Sequence, residues 1–224
     1  ERAIECGSID PLAYNTLGLI YQSQKRVKEA RDCFERAISI RPEYPDAICN
    51  LGIVSLLDGQ MAEAERQFRH ALAYKPDLVL AHCNLGVLLK KQGRIREAQS
   101  SLLSAVALDP NNAEAQSNLG VVLMDLGRCE EAEKHFRDAI KISPNKASAH
   151  NNLGDLLRHC GRLREAIESL RLAIHYDPAR SEAHNNLCIS LREIGDLEQA
   201  LVSGLLAVEH DPKNALAFNN IGGV

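Results

Sequence analysis

The chain has 224 residues, a formal net charge of −4 and an isoelectric point near 6.1. It has no excess of Lys and Arg and no interleaving of basic with aromatic residues, which argues against nucleic acid as a partner. No apolar run approaches the roughly 20 residues of a membrane-spanning helix and no signal peptide is recognisable, so we expect no membrane partner and a cytoplasmic or nuclear location.

A pattern with a period of 34 residues runs along the chain. A Leu-Gly pair or a close variant recurs at Leu17-Gly18, Leu51-Gly52, Leu85-Gly86, Leu119-Gly120, Leu153-Gly154, Leu187-Cys188 and Ile221-Gly222. An alanine keeps the same period at Ala30, Ala64, Ala98, Ala132, Ala166 and Ala200, and a proline at Pro42, Pro76, Pro110, Pro144, Pro178 and Pro212. Such a period predicts a stack of one supersecondary unit, stable only as an array.

Each period predicts two helices of about 14 residues, helix A and helix B. In the fourth period, one face of helix A holds Leu119, Val122, Leu123 and Leu126, and one face of helix B holds Ala132, Phe136, Ala139 and Ile140. Glycine separates the two helices at Gly59, Gly93, Gly127, Gly161 and Gly195, where we expect positive φ, and Lys25 is the exception. The proline ends helix B because it cannot continue a helix.

In chain order, residues 1–10 align with the end of a preceding repeat. Six full repeats follow, at 11–44, 45–78, 79–112, 113–146, 147–180 and 181–214, and residues 215–224 open a seventh. We therefore expect a single array over residues 1–224, cut from a longer protein because both ends interrupt a repeat.

The spacing resembles that of the tetratricopeptide repeat (TPR) family. The first full repeat carries Tyr14, Leu17, Gly18, Tyr21, Ala30, Phe34 and Pro42 at that family's offsets. The position that holds Trp in the family carries Ile48, His82, Gln116, His150 and His184, and the Phe position departs at Leu102, Leu170 and Gly204. The resemblance implies an all-α, right-handed α-solenoid superhelix, whose last full repeat is the softest because of Gly204.

An asparagine stands just before the Leu-Gly pair at Asn50, Asn84, Asn118, Asn152, Asn186 and Asn220, whereas the first repeat has Thr16. The resemblance places this position on the concave groove, where the row is similar to the asparagine ladder of the TPR arm of O-GlcNAc transferases. Paired amide donors and acceptors match an extended peptide backbone, with one asparagine for roughly every third peptide residue. The alternative is that these asparagines only satisfy local polar groups.

Other groove positions change character along the chain. Apolar residues occupy them first, at Leu19, Ile53, Leu56, Leu57, Val87 and Val121. Polar residues follow, at Asn151, Asp155, Arg158, His159, Asn185, Arg192 and Glu193. The sequence predicts a peptide-binding groove that is apolar in its N-terminal half and polar in its C-terminal half, unless packing covers the apolar strip.

No residue pattern points to catalysis, a metal or a cofactor. His82, His150 and His184 share one phase of the repeat and are predicted to fill the Trp slot rather than to bind metal. The seven cysteines form no Cys-x2-Cys and are expected to be mostly small, buried thiols in a reducing compartment. The glutamate that precedes the helix-B alanine, at Glu29, Glu63, Glu97, Glu131 and Glu165, is predicted to be structural.

These patterns leave three hypotheses for function. The first is a non-catalytic scaffold that binds extended protein segments in the groove. The second is the substrate- or adaptor-selecting arm of a larger enzyme, such as a protein O-GlcNAc-type glycosyltransferase. The third is a spacer that self-associates. A carboxylate clamp for chaperone C-terminal tails is not expected, because the second, fifth and sixth residues of helix A are nowhere basic.

Overall fold

The computed structural model describes residues 10–223, which form thirteen α-helices and no strand. Helix A of each repeat has 13 residues: α1 (Pro11–Ser23), α3 (Pro45–Leu57), α5 (Val79–Lys91), α7 (Ala113–Asp125), α9 (Ala147–His159) and α11 (Ser181–Glu193). Helix B has 14: α2 (Val27–Ile40), α4 (Met61–Tyr74), α6 (Ile95–Leu108), α8 (Cys129–Ile142), α10 (Leu163–Tyr176) and α12 (Leu197–His210). The short α13 (Ala215–Gly222) follows. The prediction of an all-α solenoid of helical repeats is confirmed.

The chain divides into two compact units, Glu1–Pro110 and Asn111–Val224. Within each unit, helix A packs on helix B of its own repeat, and helix B packs on helix A of the next. Successive A helices also touch, as α1 touches α3 and α9 touches α11. The expected repeat end at residues 1–10 falls almost entirely outside the described residues.

The helix ends follow local chemistry. Pro11 and Pro45 begin helices, where the missing N–H has no intrahelical partner to lose. Side chains of Asp10, Asn112, Asp196 and Asn214 cap helix N-termini by accepting backbone N–H bonds. Each helix B ends two residues before the repeat proline, as Ile142 does before Pro144.

The turn between helices A and B requires a left-handed residue. The φ angle is +60° at Lys25 and lies between +72° and +85° at the glycines of the other turns, Gly59, Gly93, Gly127, Gly161 and Gly195. The predicted role of these glycines and the exceptional position of Lys25 are confirmed. Lys25 adopts a conformation that costs an L-residue roughly 1 kcal/mol.

Replacing Lys25 with glycine should therefore stabilise the first repeat. We expect the free energy of unfolding to rise by up to about 1 kcal/mol, because the relief of backbone strain exceeds the extra entropy of an unfolded glycine. Chemical denaturation of the wild type and Lys25→Gly measures the difference. An equal or lower midpoint for Lys25→Gly would contradict the strain assigned to this turn.

The core of each repeat pairs a glycine of helix A with a large side chain of helix B. A Cβ atom on Gly120 would lie 2.6 Å from the ring of fully buried Phe136, and one on Gly52 would lie 2.7 Å from Phe68. In the sixth repeat the sizes are inverted, because Cys188 replaces the glycine and Gly204 the large residue. Ile221 of α13 approaches that space, 2.7 Å from a Cβ built on Gly204.

Helix B carries a charged network on its outer side that recurs in both units. In the first unit, Arg94 bonds to Glu65 of the preceding repeat at 2.8 Å and to Glu97 at 2.6 Å. In the second, Arg162 bonds to Glu133 at 2.7 Å and to Glu165 at 2.6 Å. Hydrogen bonds from Arg94 hold the pKa of the Glu65 carboxyl below its usual value. The Arg94–Glu65 interaction therefore stabilises the fold fully at pH values above the ordinary glutamate pKa. This stabilisation is lost as the pH falls through the lowered pKa of Glu65.

Candidate functional site

The predicted asparagine row connects successive repeats. The Nδ2 of Asn186 donates to Asn151 Oδ1 at 3.0 Å, and that of Asn220 donates to Asn185 Oδ1 at 2.8 Å. The same bond joins Asn152 to Ser117 at 3.3 Å and Asn50 to Asn15 at 3.0 Å. In every case the acceptor lies 35 residues earlier, at the fifth position of the preceding helix A.

This bond fixes the orientation of each amide. Asn151 and Asn185 are only 6% and 7% exposed and serve as its acceptors, so they orient the row rather than extend it. Asn186 and Asn220 are half-buried, and their Oδ1 atoms accept no hydrogen bond from any of residues 10–223. These two carboxamides therefore retain an acceptor and one N–H for another molecule.

Two members of the row differ. The residue 35 positions before Asn84 is Cys49, a poor hydrogen-bond acceptor, and the Asn84 amide bonds instead to the Leu80 carbonyl of its own helix at 2.8 Å. Asn118 lies half-buried in α7. Asn84 thus occupies the ladder position without a bond to the preceding repeat.

The predicted apolar positions are partly accessible in the first unit. Leu19 is 43% and Leu57 61% exposed, whereas Ile53, Leu56 and Val87 are half-buried. Leu12 and Leu80 were not among the predicted apolar positions, and they are exposed on the same helices. In the second unit, Val121 is half-buried.

The predicted polar positions of the second unit form an ion network. Arg158 bonds to Asp155 at 2.8 Å in its own helix and to Glu193 of the next helix A at 3.4 Å. His159 lies beside Asp155, 3.4 Å from its Oδ1. Arg192 instead donates to the Asn220 backbone carbonyl at 3.5 Å, so its charge is not neutralised by an acidic partner among residues 10–223.

The histidines of the Trp slot make one recurrent contact. Nε2 of His82, His150 and His184 lies 2.8–2.9 Å from the carbonyl oxygen of Pro76, Pro144 and Pro178, respectively. Each ring therefore joins helix A to the turn that precedes it. In the fourth repeat Gln116 fills the slot and its Oε1 lies 2.6 Å from His135 Nδ1. Residues 10–223 contain no cluster of three or more His, Cys, Asp or Glu side chains suited to a metal ion.

The cysteines divide into two groups. Four cysteines are buried: Cys33, Cys49, Cys83 and Cys188. Burial raises the pKa of the Cys49 thiol to about 12. Cys160 is exposed and Cys129 is half-buried, which corrects the expectation for those two residues. Cys160 directly follows helix A, at a position that is polar in the first three repeats, as at Asp58 and Gln92, and apolar at Leu126 and Ile194. Cys6 lies outside the described residues.

A model of one protein family matches residues 1–215, and it is described as the C-terminal domain of cilia and flagella-associated protein 70, a TPR domain. The chain belongs to this family. No curated protein matches this member of the cilia and flagella-associated protein 70 C-terminal domain family in sequence. None of the helices described in residues 10–223 is both long and apolar enough to span a bilayer.

Solved structures similar to this family member are also TPR proteins. A chain of the APC/C hetero-tetramer Cut9–Hcn1 aligns over 99% of the present chain with a TM-score of 0.92 and 18% identity, and 44% of that chain is covered. The pilF protein of Pseudomonas aeruginosa aligns over 96% of this chain and 97% of its own, with a TM-score of 0.81 and 23% identity. YrrB, described as a TPR protein with an unusual peptide-binding site, covers 83% of this chain and 96% of its own at a TM-score of 0.60 and 22% identity. The present chain thus spans less than half of the Cut9–Hcn1 relative, and these likenesses establish the fold.

Proposed function

We propose that the chain is a non-catalytic scaffold that binds extended protein segments along the exposed positions of the A helices of each unit, which we call the helix-A surface. The observation that carries the proposal is the fixed orientation of ladder amides such as Asn186 and Asn220, each held by a bond to the preceding repeat. A pre-oriented amide loses little entropy when it binds a peptide.

The helix-A surface offers different chemistry in the two units. In the first, Leu19 and Leu57 provide exposed apolar area, and Asn84 lies on the same series of helices. In the second, Asn186, Asn220 and Arg192 provide hydrogen-bonding groups and an unneutralised cation. We propose that the first unit takes apolar side chains and the second polar or acidic ones. YrrB, a protein of the same fold, is described as having a peptide-binding site, which supports the proposal of peptide binding but not this division between the units.

The scaffold is favoured over the enzyme-arm alternative. The matched family is described by a cilia and flagella-associated protein and not by a glycosyltransferase. We propose no catalytic, cofactor or metal role for the chain, and we propose a reducing compartment for it, where the buried thiols stay reduced.

The ladder is tested with Asn84→Ala and Asn186→Ala. Peptides are first selected on the wild-type chain from a random library displayed on phage, and their affinities are then measured by calorimetry. We expect each substitution to weaken peptides bound to its own unit about 2- to 10-fold, the equivalent of one hydrogen bond. Asn145→Ala, in an exposed turn, is the matched control and should change nothing.

The two variants differ in stability. Asn186→Ala leaves buried Asn151 without its donor and should lower the free energy of unfolding by about 1–3 kcal/mol. Asn84→Ala loses only a bond within its own helix and should unfold near the wild-type midpoint. If both variants bind the selected peptides as tightly as the wild type, the ladder is structural and does not bind peptide.

Self-association is a second candidate function, favoured by two exposed apolar side chains of α12. Val202 and Leu205 are 54% and 55% exposed there. Preceding repeats of the second unit carry Lys134 and Glu168 in place of Val202, and Arg137 and Arg171 in place of Leu205. Exposed apolar patches often mark contact sites.

Light scattering across a concentration series tests this candidate. We expect the wild-type mass to rise with concentration, and Leu205→Arg, which restores the residue of the other repeats, to remain a monomer. A wild type that stays monomeric throughout would remove self-association as a function of this surface.

A further inference from the structure

Two cysteines of the second unit meet where repeats 4 and 5 join. Cys129 is the first residue of α8, and Cys160 is the residue that caps the C-terminus of α9. The two side chains lie close enough for Cys129 to raise the pKa of the Cys160 thiol. Both are free thiols, and Cys160 is exposed to solvent.

The surrounding contacts hold the two segments together. Arg162, two residues after Cys160, bonds to Glu133, one helical turn after Cys129, at 2.7 Å. The turn that carries Cys160 is fixed by Gly161 at φ of +74° and by the bond from the Arg162 N–H to the Leu157 carbonyl at 2.9 Å. A disulfide needs sulfur atoms about 2.05 Å apart, and two thiols on segments held together in this way can approach by rotation about χ1.

We propose that Cys129 and Cys160 form a reversible oxidation site, at which hydrogen peroxide converts the two thiols into a disulfide that ties repeat 4 to repeat 5. The Cys160 thiolate attacks the peroxide, the O–O bond breaks, and Cys160 becomes a sulfenic acid as water leaves. The Cys129 thiolate then attacks the Cys160 sulfur, the S–S bond forms, and the sulfenic oxygen leaves as a second water. The two thiols are oxidised by two electrons and the peroxide is reduced by two. A thiol reductant reverses the change.

The environment sets the rate of the first step. Burial chiefly raises the pKa of the Cys160 thiol, Cys129 and Glu133 of α8 raise it further, and Arg162 of its own turn lowers it. Because the thiolate is the nucleophile, the rate of disulfide formation should increase roughly tenfold per pH unit below that pKa. The site should therefore respond slowly at neutral pH and faster in alkaline solution.

The experiment uses the full chain with Cys6→Ser, so that only described cysteines remain. The protein is treated with hydrogen peroxide at low concentration, its free thiols are alkylated, and it is digested with trypsin. We expect a linked pair of peptides, residues 129–134 and 159–162, that is lighter than the sum of the two by the hydrogens removed on oxidation. The oxidised protein should melt at least about 5 °C higher, because the new bond closes a loop in the unfolded chain.

Controls separate this pair from general oxidation. Cys129→Ser and Cys160→Ser should each abolish the linked peptide and the rise in melting temperature, whereas Cys33→Ser, at a buried cysteine, should leave both unchanged. A Cys160 that proceeds to sulfinic acid in the presence of Cys129, or that links only to another cysteine or another molecule, would overturn the proposal.

Discussion

Replacing Ala132 with leucine should destabilise the second unit by about 3 kcal/mol. Ala132 is fully buried in helix B of the fourth repeat. The close approach of the helices is measured at the equivalent place in the next repeat, where the Ala166 carbonyl oxygen is 3.1 Å from a Cβ built on Gly154. An isobutyl group has no space there, and the strain should extend to neighbouring repeats because each is stable only through its interfaces.

The matched control is Ala73→Leu, the same substitution at an exposed position of helix B in the second repeat. Alanine and leucine have similar helix propensity, so the change there should be within about 0.5 kcal/mol. Urea denaturation followed by circular dichroism measures all three proteins. An Ala132→Leu midpoint equal to that of the wild type would show that the helices do not cross as closely as described.

Replacing Gly120 with alanine should cost about 2–3 kcal/mol, because the new methyl group would lie 2.6 Å from the buried ring of Phe136. Phe136→Ala alone should cost about 3–5 kcal/mol through the cavity it leaves. In the double variant the methyl group added at position 120 enters that cavity, so the combined cost should be less than the sum by about 1 kcal/mol or more.

Gly127→Ala separates packing from backbone effects. Gly127 has φ of +72° with no atom within 4 Å of a Cβ position, so its substitution strains the backbone without a clash. Its cost should be about 1–2 kcal/mol, and it should be additive with Phe136→Ala. Strict additivity of Gly120→Ala with Phe136→Ala would refute the contact between the two sites.

The sequence predicted the helix pairs, the turn glycines and the exception at Lys25, because each depends on local residue chemistry repeated at a fixed interval. It also predicted that the first-turn glutamates are structural, which stays a prediction; the structure adds that Glu97 and Glu165 are paired with arginines. Periodicity carries such features because every repeat presents the same neighbours to the same position.

What the sequence did not predict depends on contacts between different positions of adjacent repeats. The bond from Asn186 to Asn151 joins the sixth position of one helix A to the fifth position of the preceding one. Comparing the same position in every repeat does not reveal a contact between two different positions. The meeting of Cys129 with Cys160 likewise joins a helix start to a turn in the next repeat. The sequence does contain a signal for the asparagine bonds. The bonded asparagines are 35 residues apart, which is one residue more than the repeat period.

This separation bears on how such a chain tolerates changes in length. Deleting residues 147–180, one period, would bring Asn186 into the place of Asn152, opposite Ser117, which already accepts that bond. Donor and acceptor are thus supplied by any two adjacent repeats with suitable fifth positions, not by one dedicated pair. Loss or duplication of a whole repeat would re-form the polar connection at the new junction, so repeat number can change in evolution without a second, compensating substitution there.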